Sequence, residues 1–480
     1  MTPSLRPTDY AGRFSCIGPA CTDTCCAHWT IPLDPACHER FTRLPEGSLK
    51  ADLMQSIVVQ TPPSPHFAIL QLTSGQHCPM HRADGLCRIQ AEQGEAMLPR
   101  ICQQYPRYKH SFEGGQEVGL ALSCPEAARL VLLAPELLVA RPAERTTASA
   151  DLPQPEATQP KAELPLWAGS VRSLVLWILT EAPGYSLWQQ LFLIRLLCYR
   201  LDGLRTTGKP EQTPALLEGF RQSISAGLPR PALEALPANA PDQLDMLLQL
   251  AGLMLADSRI APGFETCVHR FTAGIGHGPG ATLSSLAAGY EAARDRWLAP
   301  WLGQHPHLLR NWLINAMVRH RFPFAADGVG SGEARPRNGS ARATEPLSAV
   351  EQFDGLAANF LLVRGLLTGV AGFHREQFSA THAVDTIQVA ARHFEHHPGF
   401  LARARTAVRE AGLASGEGMA ILLRDEAVQR RPLPIGTENH PAAEPPQWPA
   451  ISAPRASLPI SVTPASTTAT TPTVAANTNG

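Results

Sequence analysis

Long apolar runs are missing from this chain. No stretch reaches 18 consecutive apolar residues, and the most apolar segment, 187–201, is interrupted by Gln189, Gln190 and Arg195. It reads as a buried helix, not a membrane span. The first residues, MTPSLRPTDYAGRFSC, show no basic start followed by an apolar stretch, so no secretory signal is expected. An excess of charge is missing too. The formal net charge is -1, which supplies no bulk attraction to nucleic acid or to an anionic membrane, and neither is an expected partner. A cytoplasmic location follows as the expectation, and in a reducing compartment thiols are not expected to pair as structural disulfides.

Several cofactor motifs are absent as well. No glycine-rich turn follows a strand, as it would in a nucleotide-binding methyltransferase. The segment GIGHGPG (274–280) lies among helical patterns and reads as a loop. Cys21 and Cys25 are followed at once by Cys26, which departs from the Cys-x3-Cys-x2-Cys triad of the common radical enzymes, and no alternation of strands and helices suggests a β/α barrel. Structural zinc sites pair their cysteines at short spacing twice over, yet here Cys21-x3-Cys25 has no second pair.

What is present in unusual amount is cysteine at one end. Of 11 cysteines, nine lie between Cys16 and Cys124. Cys198 and Cys267 stand in apolar helical settings, where a buried inert thiol is the ordinary reading. The stretch CIGPACTDTCCAHW (16–29) holds four, and Cys78, Cys87, Cys102 and Cys124 follow singly in QHCPM, DGLCRI, RICQQYPR and LSCPE. Prolines and glycines flank nearly all of them, letting the backbone turn and bring amide donors near sulfur, as metal–sulfur sites require. Scattered single cysteines suit a four-cysteine iron–sulfur cluster, with zinc as the first alternative and redox or inert structural thiols as the remaining one. Adjacent Cys25 and Cys26 rarely both bind one ion. Cys37 has no such flank and reads as incidental. His28, His77 and His81 are further candidate ligands, although a histidine beside a cysteine is as readily a solvated one.

The fold class expected is mainly α, with a cysteine-rich N-terminal region (10–138) carrying short strands at 56–60 and 67–72. A helix should start near Cys87 and break at Gly94, and Ser123 should cap a helix over 125–133. Residues 139–165, rich in Pro, Ala, Thr and Glu, read as a linker. A helical region (166–425) follows, with apolar residues at three- and four-residue spacing over 171–179, 188–201, 244–255, 283–302, 308–318, 350–372 and 384–411. Residues 325–346 read as a mobile loop and 430–480 as a disordered tail.

Three blocks together resemble the flagellin lysine-N-methylase family: CIGPACTDTCCAHWTIPLD (16–34), CPMHRADGLCRIQAEQGEAMLPRICQQYPR (78–107) and LALSCPEAARLVLL (120–133). Weaker likeness continues through WLINAMVRHRFPF (312–324), a segment around 360–369 and ARHFEHHPGFL (391–401). A looser kinship exists to small cysteine-cluster zinc- or iron-chelating proteins. The resemblance implies methylation of flagellin lysines with S-adenosylmethionine as donor and a 4Fe-4S cluster. It places the metal-binding set on Cys16, Cys21, Cys25, Cys26, Cys78, Cys87, Cys102 and Cys124. The favoured four are Cys21, Cys25 or Cys26, Cys87 and Cys102. The rival from another class is a non-enzymatic zinc- or iron-binding module on a helical interaction scaffold.

Methyl transfer needs a neutral lysine amine, whose unperturbed pKa is about 10.4. Asp23, Asp84, Tyr105, Arg107 and the Glu395-His396-His397 run are the side chains placed to act on it. Each also has an ordinary structural reading as a turn cap, packing residue or helix end.

Overall fold

In the computed structural model the described residues are 5–7, 10–61, 64, 66–112, 115–135, 137–140, 167–256, 262–324, 347–396 and 399–425. The expected linker (from 141), the loop at 325–346 and the tail lie outside them. The N-terminal region runs β1 (Leu5–Pro7), β2 (Ile31–Leu33), α1 (Pro35–Thr42), α2 (Ser48–Ser56), β3 (Ile57–Val59) and β4 (Ala68–Leu70). It continues through α3 (Arg88–Gln93), α4 (Arg100–Gln104), β5 (Arg107–Phe112), β6 (Gly115–Leu120), α5 (Pro125–Leu132) and β7 (Leu138–Ala140). Three small antiparallel sheets result, in the orders β1-β7, β2-β4-β3 and β5-β6.

The helical region comprises α6 (Ala168–Thr180), α7 (Leu187–Thr206), α8 (Thr213–Ser225), α9 (Arg230–Glu234), α10 (Ala240–Leu255), α11 (Pro262–Gly274) and α12 (Leu283–Ala293). After it come α13 (Ala299–Gln304), α14 (Leu308–Arg319), α15 (Ala349–His374), α16 (Ala380–His396), α17 (Phe400–Glu410) and α18 (Gly416–Leu423). The described chain is thus mainly helical with small N-terminal sheets. The pattern over 283–302 is carried through a π-helical turn at Arg294–Leu298 between α12 and α13.

Two expectations shift in detail. The pattern over 384–411 is two helices, because Gly399 adopts a left-handed φ of 85° at the start of α17, where residues with a Cβ are strained. The N-cap of α5 is Cys124 rather than Ser123, and the Ser123 hydroxyl lies 3.1 Å from the Tyr105 hydroxyl instead.

α15 is the centre of the helical region. Ser348 and Glu351 close its N-terminus in a reciprocal capping box. Its length and apolarity would allow it to cross a membrane, but 89% of its most apolar window is buried inside the protein, as in a core helix. α11 crosses it closely. A Cβ on Gly274 would sit 1.8 Å from the Gly369 carbonyl oxygen, so only glycine permits this approach. The segment 274–280 then forms the α11–α12 connection, consistent with a loop.

Two cores result. The smaller is built from Ile31, Leu33, Cys37, Phe41, Leu53, Leu70, Cys78, Met80 and neighbours up to Leu98. The larger takes in the helices together with Tyr10, Phe14, Leu120, Leu122, Cys124 and α5. The two ends of the cysteine-rich region therefore belong to the core of the helices, and its middle keeps a core of its own.

Candidate functional site: a thiol cluster tied to a helix

The first cysteine stretch has a single helical turn at Gly18–Ala20 and is otherwise irregular until β2. Gly18 takes a φ of +55°, and its amide donates to Cys16 Sγ at 3.4 Å. Asp23 Oδ1 accepts from the Thr24 amide (2.8 Å) and Thr24 Oγ1 from the Cys26 amide (3.1 Å). These short-range bonds replace a helix or sheet ladder.

Backbone pairing brings the second stretch alongside. The Cys78 amide donates to the Cys26 carbonyl at 2.7 Å, and the His28 amide to the Gln76 carbonyl at 2.9 Å. Ala27 pairs with His77, and His81 with Cys87, as isolated antiparallel bridges. Gly85 makes the return turn at φ +80°. Cys102 arrives on α4 and Cys124 at the start of α5.

The thiols feel one another. Burial pushes Cys102 well up, followed by the Cys78, Cys25 and Cys87 thiols. Cys78 is raised to about 11 by burial first, with Cys87 and Cys25 adding to it. Burial raises Cys124 to about 12, and Cys21 and Cys25 add to the effect. Cys21 is raised by burial and then by Cys16, Asp23 and Cys25. The hydrogen bond with Cys26 is the largest influence on Cys25, keeping it protonated. Cys25 therefore neighbours both a group of Cys78, Cys87 and Cys102 and a group of Cys16, Cys21 and Cys124. A cation would reverse these shifts, because the thiolate is the metal ligand.

Among the described residues, no three His, Cys, Asp or Glu side chains converge to hold one metal ion. A single zinc needs its four donors at about 2.0–2.3 Å from one point. In a four-iron cluster each thiolate binds a different iron, so the ligands stand further apart. A sulfur-rich donor set with backbone amides close by suits such a cluster.

α16 closes the site. Arg392 pairs with Asp23 and donates to the carbonyls of Thr24 (2.9 Å) and Ala27 (3.1 Å). Gln388 donates to Asp23 Oδ2 (3.0 Å) and to the Ser123 carbonyl (2.9 Å). Glu395 accepts from the amides of Leu122 (3.1 Å) and Ser123 (3.0 Å). The spacing 388, 392, 395 puts all three on one helix face. A cleft of about 10 Å³, room for about one water molecule, opens between Cys25, Ala27, Trp29, Tyr105 and Arg392. The Trp29 and Tyr105 ring centroids are 5.4 Å apart and tilted by 43°, and the Trp29 indole donates to the Cys25 carbonyl at 2.6 Å.

Residues 172–422 match the model of the FliB lysine N-methylase C-terminal domain, just over half of the chain. The chain belongs to the FliB lysine N-methylase family. It is 28% identical over 130 residues to the Flagellar biosynthetic protein FliU of Salmonella muenchen, covering 27% of this chain and 77% of that one. It is 29% identical over 130 residues to the Lysine-N-methylase of Salmonella typhimurium, again 27% of this chain but 32% of the relative. The match to a second Lysine-N-methylase, from Salmonella choleraesuis, is 28% identical and likewise spans about a third (32%) of that protein. No solved structure matches.

Within this family member the remaining sequence candidates divide clearly. Asp23 meets a guanidinium, and Asp84 caps its own turn, accepting from the Leu86 amide (3.1 Å) and pairing with Arg82 at 2.6 Å. Arg107 donates to the Phe14 carbonyl at 2.7 Å and lies over the Phe14 ring, which pins the N-terminal segment. Glu395 holds the 122–123 turn. The His396 side chain and His397 lie outside the described residues. His28, His77 and His81 form a row, with ring centroids 6.1 and 5.8 Å apart, and Thr24 Oγ1 lies 3.4 Å from His81 Nε2. Cys37 is fully buried in the small core, close enough to Cys102 to raise its thiol. Cys198 and Cys267 are buried among helices, away from these thiols.

Local patterns gave no notice of Gln388, Arg392 or Trp29 as site residues. Nor did they mark Asn315, which bonds the Leu120 carbonyl (2.9 Å) and the Tyr10 hydroxyl (2.8 Å). One signal was available. Asn315 and Arg392 fall inside WLINAMVRHRFPF and ARHFEHHPGFL, the second-half segments that carried the weaker family likeness.

Proposed function

We propose that this protein is a lysine N-methyltransferase of flagellin that uses S-adenosylmethionine, with a thiol-held iron–sulfur cluster, in the cytoplasm. One observation carries the reading: α16, inside the segment matching the lysine N-methylase domain, is hydrogen-bonded to the loops that gather the N-terminal cysteines. The name Lysine-N-methylase on two relatives supplies the reaction, and a flagellar biosynthetic name on the third fits a flagellar substrate.

The cysteines Cys16, Cys21, Cys25, Cys26, Cys78, Cys87, Cys102 and Cys124 are the set from which the cluster ligands come. When bound, the cluster would supply iron able to anchor the methionine end of the donor. The chain's own task is to deliver an uncharged amine. At pH 7 an unperturbed lysine is neutral in only about one molecule in 2,500. The cleft beside Cys25 suits an amine head, being water-sized and far below the roughly 300–1,000 Å³ of small-molecule sites. Trp29 and Tyr105 form its aromatic walls, and no carboxylate lines it. The Arg392 guanidinium beside the cleft disfavours a charged amine, its charge partly offset by Asp23, and a neutral amine carries the lone pair that attack requires. The donor's adenosyl and methionine parts are too large for this cleft and bind outside it.

The test is transfer of labelled methyl groups from S-adenosylmethionine to flagellin by anaerobically purified protein. Label mapped to lysine supports the reading. Metal-loaded protein that leaves flagellin unlabelled would favour the non-enzymatic binding module. Trp29→Ala should lower kcat/KM for flagellin by about ten-fold or more.

A further inference from the structure

We infer that Arg392 is a positioning residue for the cysteine site, so that retention of the cofactor by the N-terminal thiols depends on α16. The inference rests on the thiol-held cofactor proposed above. The segment from Cys21 to Thr30 lies between the turn at Gly18–Ala20 and β2, without helix or strand of its own. Cys25 and Cys26 stand in its middle. Three of its residues, Asp23, Thr24 and Ala27, are held by the single guanidinium of Arg392, whose residue is only 8% exposed.

The planar fork of arginine is what allows one side chain to hold a carboxylate and two carbonyls together; a lysine ammonium lacks that geometry. One turn earlier, Gln388 joins Asp23 to the Ser123 carbonyl, next to Cys124. Arg392 and Gln388 thereby set the separation of the Cys21–Cys26 segment from Cys124. Cys78 and Cys87, in contrast, are fixed within the N-terminal region through the Cys26 carbonyl and the His81 bridge. Supporting groups around metal ligands commonly govern metal affinity by about 10–100-fold, and here the supporting group belongs to the other half of the protein.

The experiment uses the full chain, purified without oxygen, as wild type, Arg392→Gln, Arg392→Lys, Gln388→Ala and a control, Gln243→Ala. Gln243 is also buried and ties α10 to the carbonyls of Ile421 and Leu422, far along the sequence from the thiols. Metal content, visible spectrum and rate of metal loss to a chelator are measured. Alkylation of each cysteine is then mapped by mass spectrometry on metal-stripped protein, with helical circular dichroism as the check of folding. Arg392→Gln should lose metal about ten-fold faster or more, and its Cys25, Cys26 and Cys124 should alkylate several-fold faster, with Cys198 and Cys267 unchanged. Arg392→Lys should not restore wild-type behaviour, Gln388→Ala should fall between, and Gln243→Ala should melt earlier yet keep its metal. Arg392→Gln with wild-type metal release and alkylation would overturn the inference, as would Gln243→Ala behaving like it. A wild type that binds no metal would refute the cofactor reading separately, and the alkylation pattern would still decide the role of Arg392.

Discussion

The two cores of this protein are stabilised in different ways. The helical one is deep: α15 is buried from Phe353 to Gly372 with hardly a break, and its neighbours bring leucine, isoleucine and tryptophan onto it from several sides. The cysteine-rich one is thin. Its sheet has three strands of three residues each, and only thirteen buried side chains form its centre among the described residues. So little apolar area does not hold many loop residues against their conformational entropy. Small domains of that kind rely on disulfides or metal, and all the described cysteines are free. The thin core is therefore where cofactor removal should be felt, and the deep core is where a cavity should be felt.

Cys102→Ser should have the largest effect. It should empty the site, stop methyl transfer and make residues 31–102 sensitive to limited proteolysis, while helical circular dichroism is kept. If the N-terminal region stayed protease-resistant after metal loss, the contrast between the cores would fail.

Phe360→Ala sharpens the comparison from the other side. It opens a cavity in the deep core and should cost about 3–5 kcal/mol, seen as a lower melting temperature, with metal content unchanged well below that temperature. Loss of metal in step with the melt would show that the cores are one cooperative unit.

Tyr105→Phe removes one hydrogen bond at the junction, to Ser123. The expected cost is about 1 kcal/mol, measured by denaturant titration. A change of several kcal/mol would place the junction, not either core, in control.

The smallest effect is a pH dependence on the helical side. Burial, then His382 and then Arg270 lower the pKa of His374 from its ordinary 6.5. His374 stacks on His382 at 3.7 Å. The unfolded chain therefore takes up the proton first as pH falls. Stability is full above 6.5 and is lost as pH drops toward the lower folded value. His374→Gln should lessen the fall in melting temperature between pH 7.5 and 5.5 without touching metal binding, His28 and His307 keeping their own share of it.

Much of this architecture is legible in the sequence, and unevenly so. The apolar spacing over 350–372 belongs to a helix nearly coincident with α15, because core helices repeat their apolar residues locally. The strands at 57–59 and 68–70, and the helix stop at Gly94, follow from equally local chemistry. The break between α16 and α17 was also written there, as Pro398-Gly399, a helix terminator that periodicity alone runs through. The thiols were visible by number. Their support was not: Asp23 and Arg392 are 369 residues apart, and no local pattern predicts a pair at that distance. Ser123 shows the same limit on a small scale. It has the composition of a helix cap, yet its hydroxyl meets Tyr105 and its carbonyl meets Gln388, both brought there by tertiary packing.

The most direct measurement is methyl transfer to flagellin as a function of cofactor loading, with the protein stripped anaerobically and reloaded with iron and sulfide in steps. Transfer that rises in proportion to the visible absorbance of the cluster is the predicted result. Stripped protein that methylates flagellin lysines as fast as loaded protein would contradict the account.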